Sequence, residues 1–144
     1  MSSARQQGFI GAPVEVVWGL LADVDRHPEW WPRVVAVKCE GLEEGCTYHE
    51  VAETPFGRQE LIPLIEKRDE CRELRIRCLN TGTFVRFALT AAREGTFLEG
   101  EMGMEPEGVR ARVFDVVAGK RYFRNWMEQT LEALDEAACD RAGA

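Results

Sequence analysis

Residues 106–139, PEGVRARVFDVVAGKRYFRNWMEQTLEALDEAAC, carry a pattern typical of a long helix. Apolar side chains recur at steps of three, four and seven, which predicts one face of an amphipathic helix. Pro106 suits the first helical position, and Glu107 places a negative charge near the positive end of the helix dipole. Gly119 interrupts the pattern at a cost of about 1 kcal/mol relative to alanine, which predicts a bend or a break. The apolar positions are Val109, Val113, Val116, Phe123, Met127, Leu131 and Leu134.

The middle of the chain has the alternating pattern of β-strands. Short links rich in glycine and polar residues separate the strands, and such links join antiparallel neighbours. The predicted strands span residues 34–40, 47–53, 58–67, 71–79, 83–92 and 96–104. On the last three, one face is apolar and the other carries arginines and glutamates that can pair across strands. The apolar face, which we expect to lie against the C-terminal helix, holds Leu74, Ile76, Cys78, Val85, Phe87, Leu89, Leu98, Met102 and Met104.

The N-terminal part predicts one strand and two short helices. Residues 4–10 form the strand, and Pro13 suits the first turn of a helix with Val14, Val17, Trp18 and Leu21 on one face. Asp25 is predicted to cap a second short helix that ends before Pro32. A strand, two helices, about six antiparallel strands and a long helix predict one α+β domain over residues 1–144, with a curved sheet wrapped around a helix.

The composition is that of a globular protein rather than a nucleic-acid-binding or membrane-spanning one. The chain has 144 residues, enough for one domain with a substantial core, and is 45% hydrophobic. A net charge of −7 without a basic block disfavours nucleic acid and anionic membranes as partners. No apolar run approaches the roughly 18 residues of a spanning helix, and the N-terminus lacks the apolar core of a signal peptide. The chain has five cysteines, an odd number. Together with the lack of a signal-peptide pattern, this number predicts reduced thiols in a cytoplasm.

Two stretches resemble the opening of the START-like, or SRPBCC, superfamily. They are residues 10–23, IGAPVEVVWGLLAD, and residues 27–34, HPEWWPRV. That opening has an apolar strand, an Ala-Pro helix start, a Val-Trp pair, an aspartate and then Trp-Pro. Residues 127–137 are similar to the family's closing helix, so the resemblance covers almost the whole chain, and the polyketide cyclase/dehydrase branch is the most similar.

The resemblance implies a helix-grip fold with a cavity between the sheet and the long helix. In that superfamily such cavities hold lipids, sterols, aromatic polyketides or plant hormones, so the resemblance implies a small hydrophobic ligand. It does not imply a particular activity, because members bind or transform very different ligands.

The sequence lacks the motifs of metal sites and of the common catalytic classes. Asp23, Asp25 and His27 are close in sequence, but they fit a helix cap better than a metal site. The cysteines lack Cys-x-x-Cys spacing, which argues against structural zinc. There is no G-x-S-x-G, no P-loop and no dinucleotide-binding glycine pattern. We therefore expect neither a metal nor a cofactor.

Few polar residues are predicted to face the cavity. Tyr48 and Glu50 share one strand face, with His49 on the other, and ordinary strand positions would also explain Tyr48 and His49. Lys120 and Arg124 fall near the apolar stripe of the helix, where a solvated helix end with buried stems is the ordinary interpretation. Further polar candidates are Thr90, Tyr122 and Asn125.

The sequence predicts a ligand-binding cavity whose mouth lies near Trp30, Trp31 and the loop after Asn80. The two tryptophans suit either a core plug and lid or a stack for a ligand, whereas Trp18 and Trp126 suit the core. The same side chains can instead fill the space and leave no cavity. The predicted ligand-binding residues are Trp30, Trp31, Tyr48, Glu50, Leu74, Ile76, Val85, Phe87, Leu89, Leu98, Met102, Lys120, Phe123 and Met127.

Three functions remain open from the sequence. The first is binding or transport of a hydrophobic small molecule, and the second is a polyketide cyclase, aromatase or dehydratase. The third is an interaction protein that uses the surface of the fold, and a homodimer also stays open. A cyclase needs polar groups that polarise carbonyls and move protons, so the few inward polar residues favour binding. An apolar inward lining favours binding over surface interaction, and no catalytic residue is assigned.

Overall fold

The elements follow the predicted order of a strand, two short helices, a run of strands and a long helix. The computed structural model describes residues 2–54, 56–105 and 118–143. The elements are β1 (Ser2–Ile10), α1 (Val14–Ala22), a 3₁₀ helix (Val24–Glu29), β2 (Val34–Lys38), β3 (His49–Thr54), β4 (Gly57–Leu61), β5 (Pro63–Asp69), β6 (Glu73–Cys78), β7 (Thr83–Ala92), β8 (Gly95–Met104) and α2 (Lys120–Ala142).

The strands form a curved antiparallel surface in two hydrogen-bonded parts. A five-stranded sheet has the order β1-β8-β7-β6-β5, and a three-stranded sheet has the order β2-β3-β4. Every described strand pair is antiparallel. The residues just before β3 join the two parts, since the Tyr48 amide donates to the Pro63 carbonyl at 3.0 Å and the Ile65 amide to the Cys46 carbonyl at 2.9 Å. The predicted helix-grip architecture is confirmed.

The strand predicted at residues 58–67 is wrong, because the chain forms two strands there. β4 ends at Leu61 in the small sheet, and β5 begins at Pro63 in the large one. Proline has no amide hydrogen for the sheet ladder, so the pairing of β4 cannot continue through it. At the bend, the Ile62 amide donates to the Asn80 side-chain oxygen at 3.1 Å, and the Ile62 carbonyl accepts from the Leu79 amide at 2.9 Å.

The predicted alternation on the last three strands is confirmed. Its nine apolar positions, from Leu74 to Met104, are all buried. On the opposite face, Arg86 Nε donates to the Glu73 carboxylate at 2.7 Å, and Arg77 Nε donates to the Glu66 carboxylate at 2.8 Å. These cross-strand pairs lie on the solvent side, so the apolar side is free to pack against the helices.

Helix α2 packs on this apolar side. Its buried residues are Phe123, Trp126, Met127, Thr130, Leu134 and Ala138. The close approach depends on Gly100 of β8, where a Cβ atom would lie 2.6 Å from the Met127 sulfur. Leu131, predicted on the apolar stripe, is only half-buried and lies at its edge, since Trp126 and Thr130 complete the face instead.

The start of the predicted long helix falls outside the described residues. Positions 106–117, which include Val109, Val113 and Val116, are therefore not tested. The described helix begins at Lys120, with Gly119 at its N-cap position. No described helix is both long enough and apolar enough to span a membrane.

The two short helices differ from the sequence prediction in one respect. α1 follows Pro13 as predicted and buries Val17, Trp18 and Leu21. Asp25 does not cap the second helix, because it lies inside the 3₁₀ helix, and Asp23 occupies the N-cap position without a side-chain hydrogen bond. The tighter 3₁₀ geometry brings the chain directly from α1 into the tryptophan pair.

Candidate functional site

A pocket lies where the two parts of the sheet meet, with one wall from α2. The space between its lining atoms is about 470 Å³, including the part open to solvent. The volume that the centre of a water molecule can occupy is about 50 Å³. One water needs roughly 10–15 Å³ by that measure, so the pocket as it stands has room for about four waters. Its lining is Trp31, Val34, Tyr48, Glu50, Leu61, Pro63, Ile76, Cys78, Thr83, Phe84, Val85, Met102 and Trp126.

Glu50 is the buried charged residue of this pocket. Its side chain lines the pocket, and the residue is only 9% exposed. Strand β3 turns it inward, opposite the buried Leu61 of β4. Among the described residues it has no hydrogen-bond or ion-pair partner, and burial raises the pKa of its carboxyl to about 7. At neutral pH the group is therefore present both as an acid and as a carboxylate.

Tyr48 is the second polar group of the pocket. It precedes Glu50 by two positions, so both side chains point to the same face of the chain. Burial, followed by the charge of Glu50, raises the pKa of Tyr48 well above its usual value of 10. The phenol therefore stays neutral and keeps its donor proton. In the described structure the two side chains form no hydrogen bond with each other.

Two tryptophans form the aromatic wall of the pocket. Trp31 Nε1 donates to Thr130 Oγ1 at 2.9 Å, and Thr130 Oγ1 donates to the Trp126 carbonyl at 2.8 Å. Trp126 Nε1 donates to the Pro32 carbonyl at 3.1 Å. Trp30 stacks behind Trp31, with ring centroids 5.3 Å apart. These bonds link the segment after the 3₁₀ helix to α2 and hold the wall in one geometry.

His27 supports this wall from behind and does not line the pocket. It is fully buried, and its ring edges meet Trp31 and Trp30 at centroid distances of 4.7 and 5.7 Å. Nε2 lies 2.7 Å from the Leu21 carbonyl, which can only accept, so the proton sits on Nε2. Burial lowers the pKa of His27 to about 4, which keeps the ring neutral. Within the described ranges, no cluster of His, Cys, Asp and Glu side chains suits a metal ion.

Arg33 places a positive charge against the outer side of the wall. Its backbone is left-handed, with φ of 73°, which is unfavourable for a residue other than glycine. Its guanidinium carbon lies 4.8 Å from the Tyr122 ring centroid and 5.6 Å from the Trp126 ring centroid. Its Nη2 also donates to Gln129 at 3.3 Å. These contacts hold the strained turn and put a cation next to the pocket.

The sequence matches the family model described as polyketide cyclase / dehydrase and lipid transport over residues 1–138. The chain belongs to this family. No curated protein matches the chain.

Solved structures of similar proteins show the same fold. XoxI of Bacillus cereus is 19% identical with a TM-score of 0.72, and the alignment covers 97% of each chain. A START superfamily protein of Mycobacterium smegmatis is 14% identical with a TM-score of 0.72, covering 99% of this chain and 98% of that one. The di-domain ARO/CYC protein StfQ of the steffimycin biosynthetic pathway is 18% identical with a TM-score of 0.74, covering 99% of this chain and 52% of that one. At these identities the likeness establishes the fold alone.

Six of the predicted ligand-binding residues come together in the pocket of this family member. Thr83 and Phe84, which follow the loop after Asn80, also line it, so the pocket lies beside the predicted mouth. The six residues are Trp31, Tyr48, Glu50, Ile76, Val85 and Met102.

The other predicted residues lie outside this pocket. Lys120 is exposed and, with Arg124, borders an open groove beside β1. Trp30 lies behind Trp31, and the remaining six residues are buried in the core. Those six are Leu74, Phe87, Leu89, Leu98, Phe123 and Met127. The ligand-binding role of all these residues stays a prediction. The further candidates His49, Thr90 and Asn125 are exposed, and Tyr122 is half-buried under Arg33.

Sequence reasoning missed seven of the lining residues, two from the small sheet, four from the large sheet and one from α2. The missed residues are Val34, Leu61, Pro63, Cys78, Thr83, Phe84 and Trp126. The prediction of one strand over residues 58–67 did not include the bend at Ile62, and the pocket lies beside that bend. Pro63 was the available signal for the bend. Trp126 follows Phe123 by three positions and precedes Thr130 by four, so helical spacing alone places it on the inner face.

Proposed function

We propose that this protein binds or carries a small hydrophobic molecule, of lipid, polyketide or aromatic type, in the pocket lined by Glu50 and Trp126. A largely apolar wall with two polar groups is the usual composition of a small-molecule site. The family description, which includes lipid transport, supports the same function.

The buried Glu50 carboxyl is the observation that carries the proposal. An ionisable group without a partner destabilises a protein interior, because burial removes its water without a compensating bond. A side chain that served packing alone would be better replaced by an apolar one of the same size. Glu50 lines the pocket instead of the solid core, so a bound molecule can supply the missing partner.

A cyclase or dehydratase is the second candidate function, and the pKa of Glu50 favours it. A general acid or base works best when its pKa lies near the working pH, and burial raises that of Glu50 to about 7. The neutral Tyr48 phenol can polarise a carbonyl in the same pocket. StfQ, whose name describes an ARO/CYC protein, shares the fold. We rank binding first because two polar groups are few for carbon–carbon bond chemistry.

A test of the binding function uses ethylbenzene, a small apolar molecule whose binding requires the pocket walls to move apart. We expect saturable binding at one molecule per chain in a titration followed by protein NMR. Val85→Phe should exclude it, because Val85 lines the pocket. Leu89→Phe is the matched control, since Leu89 is buried on the same face of β7 and lies outside the pocket.

Both variants should first be shown to fold by their NMR spectra and thermal melting. The binding function is wrong if neither ethylbenzene nor acetophenone, a ketone with the same skeleton, shows saturable binding. It is also wrong if Val85→Phe and Leu89→Phe bind ethylbenzene equally well.

A further inference from the structure

The pocket lined by Glu50 and Trp126 contains a carboxyl group, that of Glu50, for which the described residues supply no counter-charge. Besides Glu50, the titratable residues that line it are Tyr48 on the segment before β3 and Cys78 on β6. Cys39, which follows β2, is also close enough to affect Tyr48. Cys78 already donates to the Asn80 side-chain oxygen at 2.9 Å. Of the described residues, no arginine, lysine or histidine lines the pocket.

The surroundings of Glu50 favour its neutral acid form during binding. Leu61, Ile76, Val85 and Met102 supply apolar walls, in which an ion pair would have to lose the hydration of both partners. A carboxylic acid that donates to a neutral oxygen adds no net charge and avoids that loss. Burial raises the pKa of this carboxyl to about 7, so the acid form is available at neutral pH.

The aromatic wall argues against a cationic ligand. A cation could sit over the face of Trp126, but the Arg33 guanidinium already lies 5.6 Å from that ring centroid. A second positive charge in the pocket would be repelled across the ring. A neutral ligand experiences no such repulsion.

We propose that Glu50 is the specificity-determining residue of the pocket: as a neutral acid it donates a hydrogen bond to a carbonyl-type oxygen of the ligand, with the Tyr48 hydroxyl as a second donor. The inference rests on the proposed binding function and names the chemistry of the ligand. It also makes the affinity for a carbonyl ligand fall as pH rises. The Glu50 carboxyl then loses its proton, and the resulting carboxylate repels the carbonyl oxygen.

Three small molecules with one skeleton test this directly. Acetophenone carries a carbonyl, ethylbenzene has a methylene at that position, and 1-phenylethylamine has an ammonium group. At pH 6 we expect acetophenone to bind about tenfold more tightly than ethylbenzene, the effect of one good hydrogen bond. At pH 8.5 this preference should shrink severalfold, while the affinity for ethylbenzene changes little.

Variants separate Glu50 from the rest of the pocket. Glu50→Gln keeps a donor, so it should retain part of the preference and lose its dependence on pH. Glu50→Leu keeps the size and removes the donor, so acetophenone and ethylbenzene should bind within about twofold of each other. Glu53→Gln is the control, because Glu53 lies in the same strand, is exposed and pairs with Arg58 at 3.3 Å.

Several results would overturn the inference while leaving the binding function intact. One is equal affinity for acetophenone and ethylbenzene in the unaltered protein. Another is 1-phenylethylamine as the tightest ligand, with affinity that rises with pH. A third is a preference for acetophenone that survives in Glu50→Leu. Absence of binding by all three molecules would overturn the binding function together with the inference.

Discussion

Replacing Glu50 with glutamine is expected to stabilise the folded protein above neutral pH and to have little effect in acid. The ordinary pKa of this carboxyl is 4.5, and burial in the fold raises it to about 7. The folded protein therefore binds more protons than the unfolded chain between these values, so stability falls as pH rises through this window. Each pKa unit corresponds to about 1.4 kcal/mol, so the loss above pH 7 is about 3 kcal/mol.

The measurement is urea denaturation of the unaltered protein and Glu50→Gln at pH values from 4.5 to 8.5. The difference in the free energy of unfolding should be near zero at pH 4.5 and grow to about 2–3 kcal/mol in favour of the variant at pH 8. Glu53→Gln, which alters an exposed carboxyl of the same strand, should not show this growth.

A constant difference between Glu50→Gln and the unaltered protein across the pH range would refute the reasoning. It would mean that Glu50 ionises as easily in the folded protein as in the unfolded chain. The electrostatic basis of the proposed ligand selectivity would then be lost as well, although the pocket itself would remain.

Three further predictions concern the core and the aromatic wall. Burial lowers the folded pKa of His27 to about 4, so this residue makes the protein less stable as pH falls from 6.5 to 4. His27→Phe should abolish that contribution, as measured by urea denaturation at several pH values. Leu134→Ala should lower the free energy of unfolding by about 2–5 kcal/mol, because Leu134 is fully buried. Glu132→Ala should lower it by less than about 0.5 kcal/mol, because Glu132 is exposed. Equal effects would mean that the inner face of α2 is misassigned. Thr130→Val should destabilise by about 1–3 kcal/mol and change the fluorescence of Trp31, whose indole loses its acceptor; an unchanged spectrum would contradict the described wall.

The presence of Glu50 and His27 together has a consequence for the pH dependence of stability. Glu50 reduces stability as pH rises from about 4.5 to 7, whereas His27 increases it as pH rises from about 4 to 6.5. The two effects oppose each other over nearly the same range. Opposite changes in the slope of stability against pH, when each of the two single variants is compared with the unaltered protein, are therefore the expected pattern.

Local patterns in the sequence were sufficient to predict most of the elements. Alternation identified strand β7 with the correct ends at Thr83 and Ala92, because a half-buried strand must place apolar residues at every second position. Pro13 marked the start of α1, since its fixed backbone angle suits a first helical turn. The family resemblance in residues 10–34 pointed to the helix-grip fold.

The pocket could be predicted only in part, because its walls come from distant segments. The spacing of Tyr48 and Glu50 predicted a shared face, and the structure places both in one pocket. The spacing did not reveal that Leu61 and Trp126 close the same space, since that depends on how the small sheet and α2 meet.

Most of the inward-facing residues follow from local sequence, because the spacing of apolar residues and the positions of proline are properties of the neighbouring chain. Which of these residues pack solidly and which border a space depends on how distant segments meet in the fold. Met127 fills its position because Gly100 lets the helix approach, whereas the bend at Ile62 separates the two parts of the sheet beside Glu50. The pKa of Glu50 is likewise a tertiary property, because it depends on the water that the surrounding walls remove.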